Sequence, residues 1–170
     1  MRKMRLAKRE LREQEQLREI VDTCQTVRVG YSDDEGMAIV PMSFGYEWTG
    51  DDAEAKHLVL WLHSAGEGRK ADAFSRNGEA GVPVAIEMDI EDGLITGDYS
   101  CAYSYAYRSI MGAGTIRPAV TVDEKRHGLD RIMEHLAPGY PTGYSDEALE
   151  RVFVWRVDLD HITGKQRAPK

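Results

Sequence analysis

Five residues within a seven-residue span carry the chain's clearest chemistry: Ser64, Gly66, Gly68, Arg69 and Lys70. Glycines let a backbone approach a ligand closely, a serine donates a hydroxyl, an arginine bonds an oxyanion bidentately and a lysine adds a point charge. The stretch HLVLWLHSAGEGRK, His57 to Lys70, reads as an apolar strand ending at His63, a small polar loop, and paired cations heading a short helix over Glu67–Asn77. Such an order suits an anion, phosphate above all, because a helix start adds unpaired N–H groups. The GxxxxGK[ST] spacing is absent, so this is no Walker loop. A solvated turn bearing two surface cations is the competing reading.

His63 ends the apolar strand, so it is expected at the rim of any ligand cavity. There it could donate to a carbonyl, move a proton or stack on a flat ring; a satisfied structural histidine is the alternative. Arg108-Ser109 follows the alternating Tyr103, Tyr105 and Tyr107. An arginine within a β-run needs an anionic partner, either an acidic side chain or a ligand phosphate. The tyrosines could stack on a ligand or fill a sheet face. His57, His127, His135 and His161 show neither HxH nor HExxH spacing, which argues against a catalytic zinc. Cys24 and Cys101 stand alone and read as buried small apolar residues. No nucleophile elbow is present. Any chemistry would then come most easily from an organic cofactor.

The elements that position these groups follow from periodicity. A helix is expected over about 9–25, with Leu17, Ile20, Val21 and Cys24 on one face. Val27–Tyr31 and Met37–Trp48 form a hairpin around the turn Asp33–Gly36. Pro41 cannot donate to a central ladder, so it marks an edge, a bulge or a rim, and Gly45 invites the same reading. Backbone groups freed there could serve a ligand. Residues 49–56 read as an acidic loop. His57–His63 is apolar on both faces and predicts a doubly buried strand. Val82–Ile90 is a strand ending in a turn at Glu91-Asp92-Gly93. A strand over Ser100–Ile116 is bent, or closely approached, at Gly112 and Gly114. Thr121 and Glu124 form a capping box for a helix to about Leu136. Ser145 caps a short helix to Glu150, Val152–Leu159 is the last strand, and Ile162–Lys165 is a tail. About six strands with outer helices and no βαβ alternation predict a closed or nearly closed antiparallel barrel, mainly β with flanking helices, as one domain over 1–170.

The chain has 170 residues and a net charge of −7. Residues 1–12 hold six Lys/Arg against one Glu, leaving 16 cations and 28 acids, or −12, for the rest. The acidic body argues against nucleic-acid binding by the body, while the basic arm could touch nucleic acid, fray from a helix start or form part of a partner contact. No apolar run spans a bilayer and no apolar segment follows the basic start, so a cytoplasmic protein is expected.

Three ordered segments, GMAIVPMSFGYEW, LWLHSAGEGRKADAF and YRSIMGAGTI, resemble the pyridoxamine-phosphate-oxidase-like flavoproteins, in particular the nitroimidazole-resistance (Nim-type) branch, as does the closing ITGK. The resemblance implies a split β-barrel homodimer with FMN between the subunits. It implies that Val40, Pro41, Met42 and Ser43 meet the flavin ring through backbone groups. Ser64, Gly68, Arg69 and Lys70 would serve the phosphate. His63 would be the catalytic residue near flavin and substrate, and Arg108 and Ser109 would line the site, from the partner chain in one arrangement. The activity implied is reduction of small electron-poor compounds such as 5-nitroimidazoles. Flavin binding without turnover, or haem on the same barrel with His63 as axial ligand, are the alternatives. The first flavin strand, AIVPMSF, lacks the arginines of the classical oxidases, which argues against pyridoxamine-phosphate oxidation.

Overall fold

The computed structural model describes residues 5–49 and 57–169. Seven strands appear in the order β1 (Glu10–Leu11), β2 (Thr26–Asp33), β3 (Gly36–Thr49), β4 (His57–Ser64), β5 (Val82–Ile95), β6 (Ser104–Pro118) and β7 (Phe153–Arg167). Helices α1 (Gln14–Thr23), α2 (Arg69–Ser75), α3 (Val122–Leu136) and α4 (Asp146–Arg151) lie between them. The strand order is β1-β7-β4-β3-β2-β5-β6, and β6 also pairs with β7. Six antiparallel strands therefore close into a ring, with β1 added outside β7. Closure removes the edges that strands this apolar would otherwise expose.

Alternation fills the barrel. Val27 and Val29 of β2, Leu58, Leu60 and Leu62 of β4, Ile86 and Met88 of β5 and Trp155, Val157 and Leu159 of β7 share one core. Leu17, Ile20 and Val21 of α1 pack into it, as do Ala71, Ala73 and Phe74 of α2. The other face of β4 carries Val59 and Trp61, which form a second cluster with Val154 and with Ile132 of α3. Within the predicted strand His57–His63, Leu58–Leu62 are thus buried on both faces, as the sequence predicts, and the two end histidines are exposed.

The expected helix over 9–25 begins only at Gln14. Ahead of it, Glu10 and Leu11 pair with Lys165 and Gly164, and burying Leu11 against the barrel outweighs the helical pattern. Gly164 leaves room for Leu11 and Leu17, which an added Cβ would strike. The expected turn at Glu91-Asp92-Gly93 is a bulge inside a longer β5, with Gly93 at φ +103°. The hairpin runs on past it to Ile95 and Ser104. The segment Ile162–Lys165 is no tail; it belongs to β7 and pairs with β6. Cys24 is buried as expected, whereas Cys101 is exposed. Gly45 marks no bulge: an added Cβ would overlap the backbone of Arg131 and Ile132, so it is where α3 lies directly on β3. Gly112 and Gly114 admit β7 closely, the second of the readings their sequence allows. Of the acidic loop expected over 49–56, Thr49 ends β3 and residues 50–56 lie outside the described residues, as do residues 1–4 of the basic arm.

Candidate functional site

The barrel is split along β3. Residues Gly36–Ser43 pair with β2, and only Phe44–Thr49 pair with β4. From Met37 to Ser43 the second edge of β3 has no strand partner among the described residues. Its backbone N–H and C=O groups are free to meet a ligand there, as the Pro41 break predicts. Along this segment Val40 and Met42 turn toward the core, while Met37, Ile39, Pro41 and Ser43 face outward.

The loop from His63 to Gly68 borders that open edge, pinned at both ends. At one end Leu62 is the last β4 residue in register with β3, opposite Phe44. At the other, Arg69 donates from Nε and Nη2 to the two carboxylate oxygens of Asp33, each at 2.8 Å. Nη2 also reaches the Gly36 carbonyl at 3.1 Å. The head of α2 is thereby tied to the β2–β3 turn. The guanidinium beside Asp33 holds that carboxyl below its ordinary range, and burial and the Glu35 N–H contribute in opposite directions.

Helix α2 is shorter than the sequence predicts and starts at Arg69, with Gly68 as its N-cap at φ +96°. That left-handed backbone favours glycine, and an added Cβ would meet nothing, so the space beside Gly68 is open. Lys70 is half-buried and has no acidic partner among the described residues. His63 is exposed, in register with Val154, on the outer face of β4 shared with Trp61. It is the first residue beyond the last β3–β4 pair.

Two expected ligand groups are already engaged. Ser64 Oγ accepts the Trp155 indole N–H at 2.9 Å and donates to the Ala65 carbonyl at 2.8 Å. Gly66 makes room for the Phe153 ring rather than for a ligand.

Arg108 and Ser109 sit on β6, across β2 and β5 from the open edge of β3. Arg108 donates from Nε and Nη2 to Asp92 at 2.9 and 3.0 Å, and from Nη1 to Glu19 of α1 at 2.7 Å. Of the two partners the sequence leaves open, the structure supplies the acidic side chains. Asp92 comes from the β5 bulge, so Arg108 fastens α1 to the barrel. The Arg108 guanidinium holds the Asp92 carboxyl below its ordinary range. Ser109 pairs in register with Asp89 and Lys165. Within one chain, then, the structure groups Val40, Pro41, Met42 and Ser43 with His63, Gly68, Arg69 and Lys70, and separates Arg108 and Ser109. Sequence reasoning missed Asp33; its place in an acidic hairpin turn reads only as turn chemistry.

Among the described residues no group of three or more His, Cys, Asp or Glu could hold a metal ion, and no helix is long and apolar enough to cross a membrane.

Comparison with curated proteins gives no match. Among solved structures, the chain is similar to a protein from Bacteroides thetaiotaomicron VPI-5482 provisionally described as a 5-nitroimidazole antibiotic resistance protein. The two are 34% identical over 92% of this chain and 86% of that one, with a TM-score of 0.73. It also resembles an FAD and heme binding protein from Mycobacterium smegmatis, at 21% identity over 95% and 76% with a TM-score of 0.77. The flavocytochrome Anf3 from Azotobacter vinelandii matches at 19% identity over 98% and 73%, also at 0.77. These last two show the shared split-barrel fold. The family model described as pyridoxamine 5'-phosphate oxidase matches residues 13–166. The chain belongs to that family.

Proposed function

We propose that this chain is a homodimeric FMN-binding oxidoreductase that reduces small electron-poor compounds such as 5-nitroimidazoles. The observation that carries the reading is the open edge of β3 from Met37 to Ser43, bordered by a corner whose Lys70 lacks an acidic partner among the described residues. The ring of a flavin suits free backbone groups, and its phosphate suits a lysine beside an open glycine. Bound FMN supplies redox chemistry that the side chains of this chain do not. The chain's own part is to hold the ring edge through Val40–Ser43, to hold the phosphate through Lys70 and Arg69, and to keep an exposed imidazole, His63, at the mouth of the split. An imidazole there can donate a hydrogen bond to, or accept one from, a bound ligand.

The 34% identity to the Bacteroides protein supports the choice of substrate class. Exposed Met37 (89%), Ile39 (73%) and Met111 (62%) support the dimer. They lie with Ala85 and Ala113 on the outer face of β3, β5 and β6, beside the open edge, and contiguous exposed apolar side chains mark association surfaces.

The test is the absorption spectrum of the purified protein with added FMN, then anaerobic photoreduction and addition of a 5-nitroimidazole. Flavin bands that bleach and return with the nitro compound support the proposal. Binding without reoxidation leaves a flavin-binding protein with no turnover on this substrate. Protein that ignores FMN overturns the reading. A Soret band on haem titration, lost in His63→Ala, replaces it with haem binding.

A further inference from the structure

We propose that Asp33 is a positioning residue for phosphate recognition: it holds Arg69 so that one guanidinium nitrogen, Nη1, remains to meet a phosphate oxygen. The inference rests on the flavin reading and adds a residue that neither the family resemblance nor the motif around Lys70 points to.

The geometry is specific. Arg69 uses Nε and Nη2 on Asp33, and Nη2 again on the Gly36 carbonyl, while Nη1 has no hydrogen bond among the described residues. The Asp33 side chain is only 7% exposed, against 36% for Arg69, so the inner partner is the fixed one. Asp33 Oδ1 is itself held by the Glu35 N–H at 2.9 Å. The looser contacts of this corner, Arg69 with Glu35 at 3.9 Å and Arg76 with Asp34 at 3.4 Å, lie at the rim on exposed carboxylates.

A guanidinium is a planar fork; fixing two of its nitrogens fixes the direction of the third. The Asp33–Arg69 pair is neutral as a whole, so it contributes little net attraction for an anion. Lys70 supplies the charge, and Arg69 supplies one directed, charge-assisted hydrogen bond. An unpaired arginine would lose rotamer freedom on binding, a cost that the Asp33 contact removes in advance.

A latch that only holds the β2–β3 turn against α2 would use the same contacts. Riboflavin separates the two roles, because it shares the ring with FMN and lacks the phosphate. FMN and riboflavin affinities are measured for the full chain and for Asp33→Ala, Asp33→Asn, Arg69→Ala and the Asp33→Ala/Arg69→Ala pair, with thermal unfolding of each. Positioning through Arg69 is expected to cut the preference for FMN over riboflavin about tenfold in Asp33→Ala, with riboflavin affinity unchanged. The double variant should lose no more than Arg69→Ala alone. Equal loss for both ligands, or additive losses, overturns the positioning role. If Asp33→Ala fails to fold, Asp33→Asn and the double variant carry the same comparison. Wild-type protein that binds neither ligand refutes the flavin reading instead; tight FMN binding that is indifferent to Asp33 refutes this inference alone.

Discussion

Trp155 donates its indole N–H to the hydroxyl of Ser64 at 2.9 Å, and this bond connects the barrel core to the loop that borders the split. The indole is fully buried and edge-on to Phe74 of α2. Ser64 spends its own proton on the Ala65 carbonyl. Its hydroxyl is therefore a structural anchor, which leaves Lys70 and Arg69 as the proposed phosphate contacts. Ser64→Ala should leave a buried N–H unpaired and cost about 1–3 kcal/mol in denaturant unfolding. FMN affinity of the folded variant should stay within about twofold, a change smaller than the loss of one charged hydrogen bond.

Gly45 should tolerate no side chain. An added Cβ overlaps the backbone of Arg131 and Ile132, and a helix backbone cannot yield as a side-chain tip does. Moving α3 would also disturb Gly128, which lies against the side chains of Trp61 and Val154, and the His135 bond to the Cys24 carbonyl at 2.7 Å. Gly45→Ala should destabilise by at least about 1–3 kcal/mol, the usual cost of overpacking. The check is chemical denaturation, with Gly36→Ala contrasted; that glycine sits at φ +106° in open space, so only backbone strain changes there.

Lys70 brings the net charge of the proposed phosphate corner. Lys70→Ala should weaken FMN about 10- to 100-fold, the worth of one charge-assisted hydrogen bond. Lys70→Arg should recover most of that loss, and riboflavin affinity should not change. The FMN affinity of the wild type should fall with added salt, and that dependence should flatten in Lys70→Ala. Fluorescence titration of the flavin measures all of these.

The barrel was legible because its strands alternate or run apolar for the length of a strand, and burial in a closed sheet is what those patterns encode. The helix N-cap was legible too: Thr121 accepts the Glu124 N–H at 3.1 Å, although the Glu124 side chain reaches one residue beyond the cap, to the Val120 N–H at 3.0 Å. What periodicity could not show were contacts between residues distant in the chain. Arg108 reads the same whether it meets a ligand or Asp92, because the bulge that presents Asp92 looks like a turn in sequence. Gly45 reads as a strand defect until the helix 86 residues further on, at Arg131, is seen lying on it. Residue type marks the cations of the proposed anion corner, but which of them is free depends on Asp33, which only the folded hairpin brings to Arg69.

The exposed face around Met111 gives a separate test of the dimer. Arg28, bonded to Glu87 at 2.8 Å and Asp89 at 2.6 Å, lies beside it, so a polar network adjoins the apolar side chains. Met111→Asp places an unpaired charge in the proposed interface, where desolvation is costly. Sedimentation should show monomers at concentrations where the wild type is dimeric. FMN affinity should fall with it, because the proposed groove lies between subunits. A Met111→Asp protein that remains dimeric would move the interface elsewhere.

Acid should loosen α1 through Asp92. The Arg108 hydrogen bond holds the Asp92 carboxyl below its ordinary range, with burial opposing. A carboxyl whose folded pKa is depressed contributes stability that is present above its unfolded pKa, about 4 for an aspartate, and is lost as pH falls through the lower folded value. Protonation then takes the charge from the acceptor of the two Arg108–Asp92 bonds and leaves Glu19, on an exposed side chain, as the one charged partner of the guanidinium among the described residues. Asp92→Asn should therefore lower stability at neutral pH and flatten its fall below about pH 4, so that the two proteins converge in acid. Asp33 and Glu124 titrate in the same direction: Arg69 holds the first down, and Arg117 with the Val120 N–H outweighs the burial that pushes the second up. Part of the acid dependence will thus survive in Asp92→Asn. Urea unfolding from pH 2 to pH 7 measures it, and hydrogen exchange assigns it: amides of α1 should open in acid before those of α2 in the wild type, and at all pH values in Asp92→Asn.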